Sequence, residues 1–389
     1  MTETGAGTAR ALLRNVSEAL PEGALERKLR EGRALRVKLG IDPTAPDIHL
    51  GHAVVLTKLR EFQDAGHVAI LVIGDYTARV GDPSGRSVER PELEPAEVDR
   101  NAEAFKHQAF KLLDPDRTEV RRNGEWLDMP MERLFRLART STVAQLLERD
   151  DFAKRHAERR PISILELLYP LLQGYDSVAV NSDVELGGTD QKFNLLLARE
   201  IQEAYGQEPQ AAVTTPILPG IDGVRRMSKS LRNYVGVTEA PEESFGKLMR
   251  LPDAQMPLYY ELLLEEPLDP ERPAVESKRT MARGLVARFH GEEAARAAEA
   301  RFDRIHVERR RPDDVPDAPL PASDPVHLPA LIADQFGMSR SEARRLLEQG
   351  GVKVDGEPVD EGAMDLPATR LAGSVLQVGK RRFVRLREA

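Results

Sequence analysis

One stretch near the start of the chain, residues 36–52, constrains the fold more than any other. Its first apolar residues, Val37, Leu39 and Ile41, alternate with polar or small residues, and a period of two indicates a β-strand with one buried face. Two prolines then impose a turn, because proline fixes φ and has no backbone N–H to donate. A helical pattern follows the turn. The stretch therefore predicts a strand, a tight loop and the N-terminus of a helix.

The start of this helix is suited to bind an anion, because unpaired amides and the helix dipole favour negative charge there. Asp47 is the expected N-cap. His49 and His52 share a helix face, where both can hydrogen-bond to one phosphate, and Gly51 leaves room for a flat ligand. An ordinary surface helix with incidental histidines is the alternative. A zinc site is excluded, because no third ligand lies nearby and the chain has no cysteine.

Length and composition narrow the possibilities further. A chain of 389 residues is too long for one compact core, so we expect two or three domains. The absence of cysteine excludes disulfides and thiol catalysis. No run approaches the roughly 20 apolar residues of a membrane span, and residues 1–10 lack the apolar segment of a signal peptide. We therefore expect a cytoplasmic protein that does not enter a membrane.

The net charge of −8 does not by itself indicate a partner, because the local distribution of charge matters more than the sum. Residues 325–389 carry a net charge of +1, and the remainder of the chain carries −9. The C-terminal segment is therefore electrostatically distinct from the rest.

A second strand follows the first helix. Residues 68–73 are continuously apolar, as in a parallel strand buried on both faces. Together with the first strand and helix they predict a βαβ unit with a right-handed crossover. The loop 74–86 comes directly after this strand, where open α/β sheets bind ligands. Its turn-forming residues, 81–85, also fit a plain surface turn.

The remaining pattern up to residue 223 is mixed. One apolar helix, residues 162–176, carries Tyr169, Gln173 and Asp176 in a single polar stripe, and Pro170 predicts a kink. The other expected helices cover residues 10–30, 95–113 and 192–205. The expected strands cover residues 177–180, 183–186 and 211–218, with the loop 187–191 at a strand end and an insertion at 114–160.

The C-terminal part begins with the turn 219–223, which leads to residues 224–230. Residues 238–308 have a helical pattern, and the proline-rich residues after them, up to 324, are typical of a linker. The final segment starts near residue 325 and contains a helix at 340–347 followed by short strands.

Two motifs resemble those of the class I aminoacyl-tRNA synthetases. His49-Leu50-Gly51-His52 is similar to their HIGH motif, and Arg226-Met227-Ser228-Lys229-Ser230 is similar to their KMSKS loop. Residues 81–85, the stripe on the helix 162–176 and the loop 187–191 resemble the tyrosyl-tRNA synthetase family in particular. Residues 325–389 resemble the S4 domain of its bacterial members.

The resemblance implies a fold and a division into domains. Residues 1–223 are expected to form a Rossmann-like α/β catalytic domain, a doubly wound parallel sheet, with a connective insertion at about 114–160. Residues 224–310 would hold the KMSKS loop and an α-helical domain on the anticodon side. A linker, 311–324, would lead to a small α+β S4 RNA-binding domain at 325–389.

The resemblance also implies an activity. Tyrosine and ATP would form tyrosyl-adenylate and pyrophosphate, and the tyrosyl group would pass to the 3′ end of tRNA(Tyr). ATP with Mg²⁺ would be a substrate, no cofactor would be bound permanently, and the protein would be a homodimer, with residues 133–160 in the interface. The tryptophan enzyme of the same family and an RNA-binding paralogue without catalysis are the alternatives.

The residue roles implied by the resemblance fall into four groups. The expected catalytic residues are Thr44, His49, His52 and Lys229. The expected ATP contacts are Gly51, Gly188, Asp190, Arg226, Met227, Ser228 and Ser230. The expected tyrosine contacts are Gly40, Asp82, Tyr169, Gln173, Asp176 and Gln191. The expected tRNA contacts are Arg340, Arg344, Arg345, Lys353 and Arg381, and no metal ligands are expected.

Three residues depart from the usual bacterial pattern. Lys38 stands where many members have a tyrosine that contacts the substrate hydroxyl, and Glu185 and Lys192 stand where glutamine and tryptophan are common. These changes resemble a second bacterial subtype. The residue that makes the second hydroxyl contact is therefore left unassigned.

Overall fold

The computed structural model describes residues 9–44, 46–82, 94–306, 315–360, 363–379 and 382–387. The chain divides into two compact units, Met1–Ala295 and Arg296–Ala389. Within the described ranges, no helix is both long and apolar enough to cross a membrane.

The first unit is built on a six-stranded sheet. Its strands are β1 (Glu18–Leu20), β2 (Arg36–Ile41), β3 (Val68–Ile73), β4 (Thr118–Arg122), β5 (Val184–Gly188) and β6 (Ala211–Thr215). The order is β1-β6-β5-β2-β3-β4, in which β2 to β6 are parallel and β1 is an antiparallel edge strand. This order confirms the Rossmann-like α/β class. It also places the point where the strand order reverses, the usual ligand crevice, between β2 and β5.

The helices of this unit connect and cover the strands. They are α1 (9–12), α2 (Ala24–Leu29), α3 (Leu50–Asp64), α4 (Thr77–Val80), α5 (Pro95–Ala109), α6 (Gly124–Leu127), α7 (Met131–Ala138), α8 (Val143–Leu146), α9 (Asp150–Ala157), α10 (Ile164–Ala179), α11 (Lys192–Ala204), α12 (Pro241–Leu248), α13 (Met256–Tyr259) and α14 (Ala274–His290). A 3-10 turn, Thr189–Gln191, joins β5 to α11, and a π-helical turn, Tyr260–Leu264, follows α13. The last helix, α15 (Glu292–His306), runs into the second unit.

The core of the sheet follows from the apolar runs. Every residue of β3 from Ala69 onward is buried, as its continuous apolar sequence predicts. Leu56, Leu59 and Phe62 of α3 are fully buried as well. The helix ends at the expected place, because Gly66 adopts φ +90°, a conformation that L-residues avoid. The predicted βαβ unit is therefore confirmed.

Four local predictions for the first unit were wrong. Residues 10–30 do not form one helix, because Pro21 and Gly23 (φ +73°) interrupt it and β1 pairs with β6. The insertion 114–160 contributes β4 to the sheet beside β3, so it is not wholly separate. Residues 177–180 complete α10 and its cap instead of forming a strand. The N-cap of α3 is His49, not Asp47.

The second unit contains a small sheet and short helices. Its strands are β7 (Asp317–Pro319), β8 (Val326–His327), β9 (Val352–Val354), β10 (Glu357–Pro358), β11 (Asp365–Leu366), β12 (Val375–Val378) and β13 (Arg382–Arg387), and its further helices are α16 (Leu328–Phe336), α17 (Arg340–Glu348) and α18 (Ala368–Leu371). The main sheet has the order β10-β9-β12-β13-β7. The expected linker, 311–324, is thus wrong in part, because residues 317–319 pair with β13.

Candidate active site

Two adjoining cavities open where β2 and β5 end. The larger has a volume of about 420 Å³ and the smaller about 260 Å³. We call them the larger and the smaller compartment. Their walls share Asp42, Thr44, His52, Val55, Gly188 and Asp190. The two compartments therefore form one continuous site at the predicted crevice.

The histidines at the start of α3 lie in the wall of the larger compartment. Their rings stack with centroids 3.8 Å apart. Burial lowers the pKa of His49 well below its usual value, with the nearby His52 and Lys229 adding to the effect. Burial, followed by the charge of Lys229, lowers the pKa of His52 to about 4. Both imidazoles are therefore neutral at pH 7.

Neutral histidines can still donate hydrogen bonds, and the backbone determines which nitrogen of His52 does so. The backbone N–H of His49 donates to Nδ1 of His52 over 3.3 Å. Nδ1 is therefore the acceptor, and Nε2 carries the proton. A Cβ added at Gly51 would lie 3.0 Å from the His49 ring and 3.5 Å from Met227, so glycine keeps the space between the two motifs open.

A loop formed by residues 219–233 brings two cations to the larger compartment. Lys229 Nζ lies 3.1 Å from a carboxylate oxygen of Asp47, and Arg226 Nη1 lies 3.0 Å from one of Asp190. Burial lowers the pKa of Lys229, although Asp47 opposes the shift. Burial raises the pKa of Asp190, although Arg226 opposes it. Each cation is thus held by a carboxylate in the wall of the same compartment.

The backbone connects this loop to the start of α3. The N–H of Leu50 donates to the carbonyl of Val235 over 3.0 Å, and the N–H of Val237 donates to the carbonyl of Ile48 over 2.9 Å. The histidine motif and the lysine loop are about 180 residues apart in sequence, yet this short antiparallel contact fixes one against the other.

The smaller compartment has a buried carboxyl group in its wall. Asp176 is 3% exposed. The indole N–H of Trp126 donates to one of its oxygens over 2.8 Å, and Asn123 donates to the other over 3.4 Å. Burial raises the pKa of Asp176 to about 7, although the charge of Lys38 opposes the shift. This carboxyl group can therefore accept a hydrogen bond from a ligand at neutral pH and above.

Lys38 and Glu185, two of the departures from the usual pattern, form one buried ion pair. They are register partners on β2 and β5, and Lys38 Nζ lies 2.9 Å from Glu185 Oε1. Lys38 also donates to Ser177 Oγ over 2.8 Å, and that hydroxyl donates to Glu185 over 3.1 Å. Gln210 donates to the same carboxylate. Both charges are satisfied inside the protein, and Lys192 pairs separately with Glu18 at 2.5 Å.

Polar side chains with mutual hydrogen bonds complete the smaller compartment. Tyr169 Oη donates to Asp42 over 2.9 Å, and Thr77 donates to the other oxygen of Asp42 over 2.7 Å. In a second group, the Gln191 amide donates to Asp82 over 3.1 Å. Asn194, 1% exposed, donates to Gln173 over 2.8 Å and to Gln191 over 3.0 Å.

The structure separates the predicted site residues into the two expected groups. Around the larger compartment it places every predicted catalytic and ATP-contact residue: Thr44, His49, Gly51, His52, Gly188, Asp190, Arg226, Met227, Ser228, Lys229 and Ser230. Around the smaller compartment it places every predicted tyrosine contact: Gly40, Asp82, Tyr169, Gln173, Asp176 and Gln191. Their individual roles stay predictions. No group of three His, Asp or Glu side chains suited to a metal ion occurs among the described residues.

The predicted tRNA contacts belong to the second unit. Arg340, Arg344 and Arg345 are exposed on α17, whose Ala343 and Leu347 face the core. The other two predicted contacts are Lys353, half-buried in β9, and Arg381, which lies outside the described residues.

Several residues that shape the site were not predicted from the sequence. Asp42 follows the first strand directly, a position that could have identified it. Three others, Asn123, Trp126 and Asn194, lie far in sequence from the groups they contact, and Asn233 contacts groups within its own loop. No local pattern distinguishes these four from ordinary polar residues.

Comparison with known proteins gives two family matches. The family described as tRNA synthetases class I (W and Y) matches residues 30–307, and the S4 domain matches residues 328–367. The chain therefore belongs to the class I tRNA synthetase family that holds the tryptophan and tyrosine enzymes.

Individual relatives place the chain on the tyrosine branch of that family. It is 51% identical to the tyrosine–tRNA ligase of Moorella thermoacetica, over 97% of this chain and 95% of that protein. It is 50% identical to the tyrosine–tRNA ligase of Haemophilus influenzae, over 97% and 96%. The fold matches the Archaeoglobus fulgidus tyrosyl-tRNA synthetase solved with L-tyrosine, with a TM-score of 0.63 at 23% identity over 76% of this chain and 99% of that chain.

Proposed function

We propose that the protein is a tyrosine–tRNA ligase that activates L-tyrosine with ATP and transfers it to tRNA(Tyr). The observation that carries the proposal is the pairing of two compartments. One ends in a buried carboxyl group, Asp176, and the other is lined by two neutral histidines and two loop cations. The tyrosine–tRNA ligases that this chain resembles over nearly its full length support the same assignment.

Tyrosine fits the smaller compartment in one orientation. The phenol O–H donates to Asp176, which Trp126 and Asn123 hold in place. Phenylalanine would leave one acceptor position of this buried carboxylate without a hydrogen bond, and an unsatisfied buried polar group is costly. The ammonium group of the substrate meets Asp82, Tyr169 and Gln173, and its carboxylate lies near Gln191, where the two compartments join. The reacting carboxylate is thereby directed towards the nucleotide.

ATP, with Mg²⁺ as its counter-ion, occupies the larger compartment. The ribose contacts Asp190, and the phosphates meet His49, His52 and Thr44 at the start of α3. Lys229 and Arg226 exchange their carboxylate partners for the triphosphate. The tyrosine carboxylate attacks the α-phosphorus, a new O–P bond forms, and the bond to the β-phosphate oxygen breaks with release of pyrophosphate. Catalysis is positioning and charge stabilisation, with no covalent enzyme intermediate.

The same site then serves the transfer step, in which a terminal ribose hydroxyl of the tRNA attacks the tyrosyl carbonyl and releases AMP. The S4 unit supplies part of the tRNA contact through Arg340, Arg344 and Arg345. Replacing Arg340 and Arg344 by alanine should weaken tRNA charging, with the largest fold difference from the parent protein at low salt and a shallower decline as salt rises, and should leave adenylate formation unchanged. Charging equal to that of the parent protein at every salt concentration would contradict this role. The activity implies a cytoplasmic location, where ribosomes use charged tRNA.

A homodimer completes the proposal. The helices α7, α8 and α10 expose apolar side chains: Met131, Phe135, Val143, Ile164 and Leu165. Large apolar residues gathered on neighbouring elements are typical of an interface. In sedimentation experiments the parent protein should be a dimer, and the Phe135→Asp variant should shift towards monomer. A parent protein that is monomeric at micromolar concentration would refute the assignment.

Amino-acid-dependent exchange between ATP and pyrophosphate tests the proposed activation step. The protein should support exchange with tyrosine, and much less with tryptophan or phenylalanine. Exchange with tryptophan but not tyrosine would assign the chain to the tryptophan enzymes. Absence of exchange with every amino acid would indicate a protein without synthetase chemistry.

A further inference from the structure

Asn233 lies at the end of the lysine loop and has an unusual environment for a loop residue. It is 3% exposed, although Arg232 beside it and Arg225 earlier in the loop are exposed. A buried amide group in a surface loop must find several hydrogen-bond partners, because it has both donors and an acceptor to satisfy.

The Asn233 side chain connects both arms of the loop. Its Nδ2 donates to Asp222 Oδ2 over 2.9 Å and to the carbonyl of Arg226 over 3.1 Å. Its Oδ1 accepts from the backbone N–H of Ser228 over 2.8 Å. The backbone carbonyl of Asn233 also accepts from the N–H of Ile221 over 2.9 Å. One residue therefore holds the segment before the turn, 221–222, and the segment after it, 226–228.

The neighbouring glycine has a packing role. A Cβ added at Gly220 would lie 2.3 Å from the side-chain amide group of Asn233 and 2.5 Å from the backbone carbonyl oxygen of the same residue. Such distances are incompatible with any larger side chain at position 220. Glycine there allows the two arms of the loop to close tightly around Asn233.

These contacts bear on the two loop cations that face the larger compartment. Ser228, whose N–H is held by Asn233, directly precedes Lys229. Arg226, whose carbonyl is held by Asn233, lies on the other side of Met227, which is 5% exposed and donates its N–H to Leu218 over 2.9 Å. The positions from which Lys229 and Arg226 extend are thus fixed by one asparagine.

We propose that Asn233 is a positioning residue for adenylate formation, which holds the loop so that Lys229 and Arg226 reach the triphosphate of ATP. The inference deepens the proposed function and rests on it. Asn233 touches no substrate; it acts through the backbone of residues 226–228. A small displacement of a charge-stabilising group has a large effect on rate, whereas the tyrosine compartment contains no part of this loop.

Asn233→Asp is the sharpest test, since it keeps the shape and the acceptor for Ser228 and replaces the donor by a carboxylate oxygen. That oxygen would face Asp222 and the carbonyl of Arg226, and both contacts become repulsive. We expect single-turnover formation of tyrosyl-adenylate to slow by about 10- to 100-fold. Tyrosine affinity should stay within about twofold, because the smaller compartment is untouched. Trp126, the only tryptophan in the chain, donates to Asp176 and provides the fluorescence signal for that binding.

A reversed pair distinguishes positioning from a general loss of structure. In Asn233→Asp/Asp222→Asn the donor and the acceptor exchange places, so the hydrogen bond can form again. Part of the lost rate should return in this double variant, because only the contact with residue 222 is restored and the carboxylate at position 233 still faces the carbonyl of Arg226. Asn101→Asp, the same change at another buried asparagine, should keep the parent rate. The proposal would be overturned if Asn233→Asp formed tyrosyl-adenylate at the rate of the parent protein. It would also be overturned if the double variant were as slow as Asn233→Asp.

Limited trypsin digestion examines the loop without reference to activity. Cleavage after Arg225, Arg226 and Lys229, followed by mass spectrometry, should accelerate in Asn233→Asp and slow again in the double variant. Equal cleavage rates in the three proteins would refute the positioning role. A parent protein that forms no tyrosyl-adenylate would instead refute the proposed function, and the digestion would still decide whether Asn233 holds the loop.

Discussion

The two compartments of the site are built in contrasting ways. The two sequence motifs form much of the wall of the larger compartment, and its cations, Lys229 and Arg226, are partly exposed and paired with carboxylates of the same wall. The smaller compartment is supported by side chains from many elements. Three ionisable groups in this wall or directly behind it, Asp176, Glu185 and Lys38, are almost fully buried.

This difference corresponds to what each compartment is proposed to do. A triphosphate arrives with its own charges and leaves as pyrophosphate, so its site needs cations that can change partners. A phenol ring must be distinguished from phenylalanine by one hydroxyl group, so its site needs a fixed acceptor in a dry environment. The account therefore predicts that changes in the larger compartment affect rate, whereas changes beside the smaller one affect stability and selectivity.

The largest expected effect concerns the buried ion pair. Lys38→Met would leave Glu185 buried without its counter-ion, which typically costs about 3–5 kcal/mol of unfolding free energy. Lys38→Met/Glu185→Gln removes both charges and should recover most of that loss. Urea unfolding of the single and double variants measures both values. Equal destabilisation by the two variants would show that the charges are not coupled.

Removing a charged side chain from the larger compartment should leave the free energy of unfolding nearly unchanged. Lys229→Ala removes a cation from the developing pyrophosphate, and we expect adenylate formation to slow by about 10²- to 10³-fold, as when one charge-stabilising donor is lost. Rapid-quench measurement gives the rate of adenylate formation. Trp126 fluorescence gives the affinity for tyrosine, which should equal that of the parent protein. Lys106→Ala, a surface lysine on α5, serves as the control. A parallel loss of tyrosine binding would contradict the separation of the two compartments.

The smallest expected effect is a pH dependence of tyrosine binding. Burial raises the pKa of Asp176 to about 7, and the phenol O–H needs the ionised carboxylate as acceptor. Affinity should therefore be highest above pH 7 and fall by about tenfold per pH unit below it, since one proton must leave before tyrosine binds. Fluorescence titrations between pH 5.5 and 8, an interval of roughly one pH unit or more on either side of the pKa, measure this slope. A flat profile in the parent protein, matching that of Asp176→Asn, would exclude Asp176 as the acceptor.

The same contrast explains what the sequence could and could not predict. The larger compartment was predictable, because its histidines and lysine lie in two short local motifs and strand-end loops determine their position. The supports of the smaller compartment were not, since Trp126, Asn123 and Asn194 act through contacts across about 20 to 50 residues of chain. The meaning of Lys38 appeared only when the register of β2 and β5 placed it opposite Glu185.

Local sequence patterns also gave wrong secondary structure where a segment pairs with a strand that is distant in sequence. The segment around residues 18–20 has helical apolar spacing, yet it forms β1 because β6 offers an edge for pairing. Residues 317–319 have the sequence of a proline-rich linker, yet they form a strand that pairs with β13. In both cases the pairing partner lies about 70 residues or more away in sequence, beyond any local pattern.

Charging of tRNA is the most direct test of the central claim. The full chain, given ATP, Mg²⁺ and bacterial tRNA, should attach labelled tyrosine to the tRNA(Tyr) fraction and attach neither tryptophan nor phenylalanine. Lys229→Ala should be strongly impaired in the same assay. Attachment of tryptophan in place of tyrosine, or adenylate formation without any transfer to tRNA, would contradict the assignment.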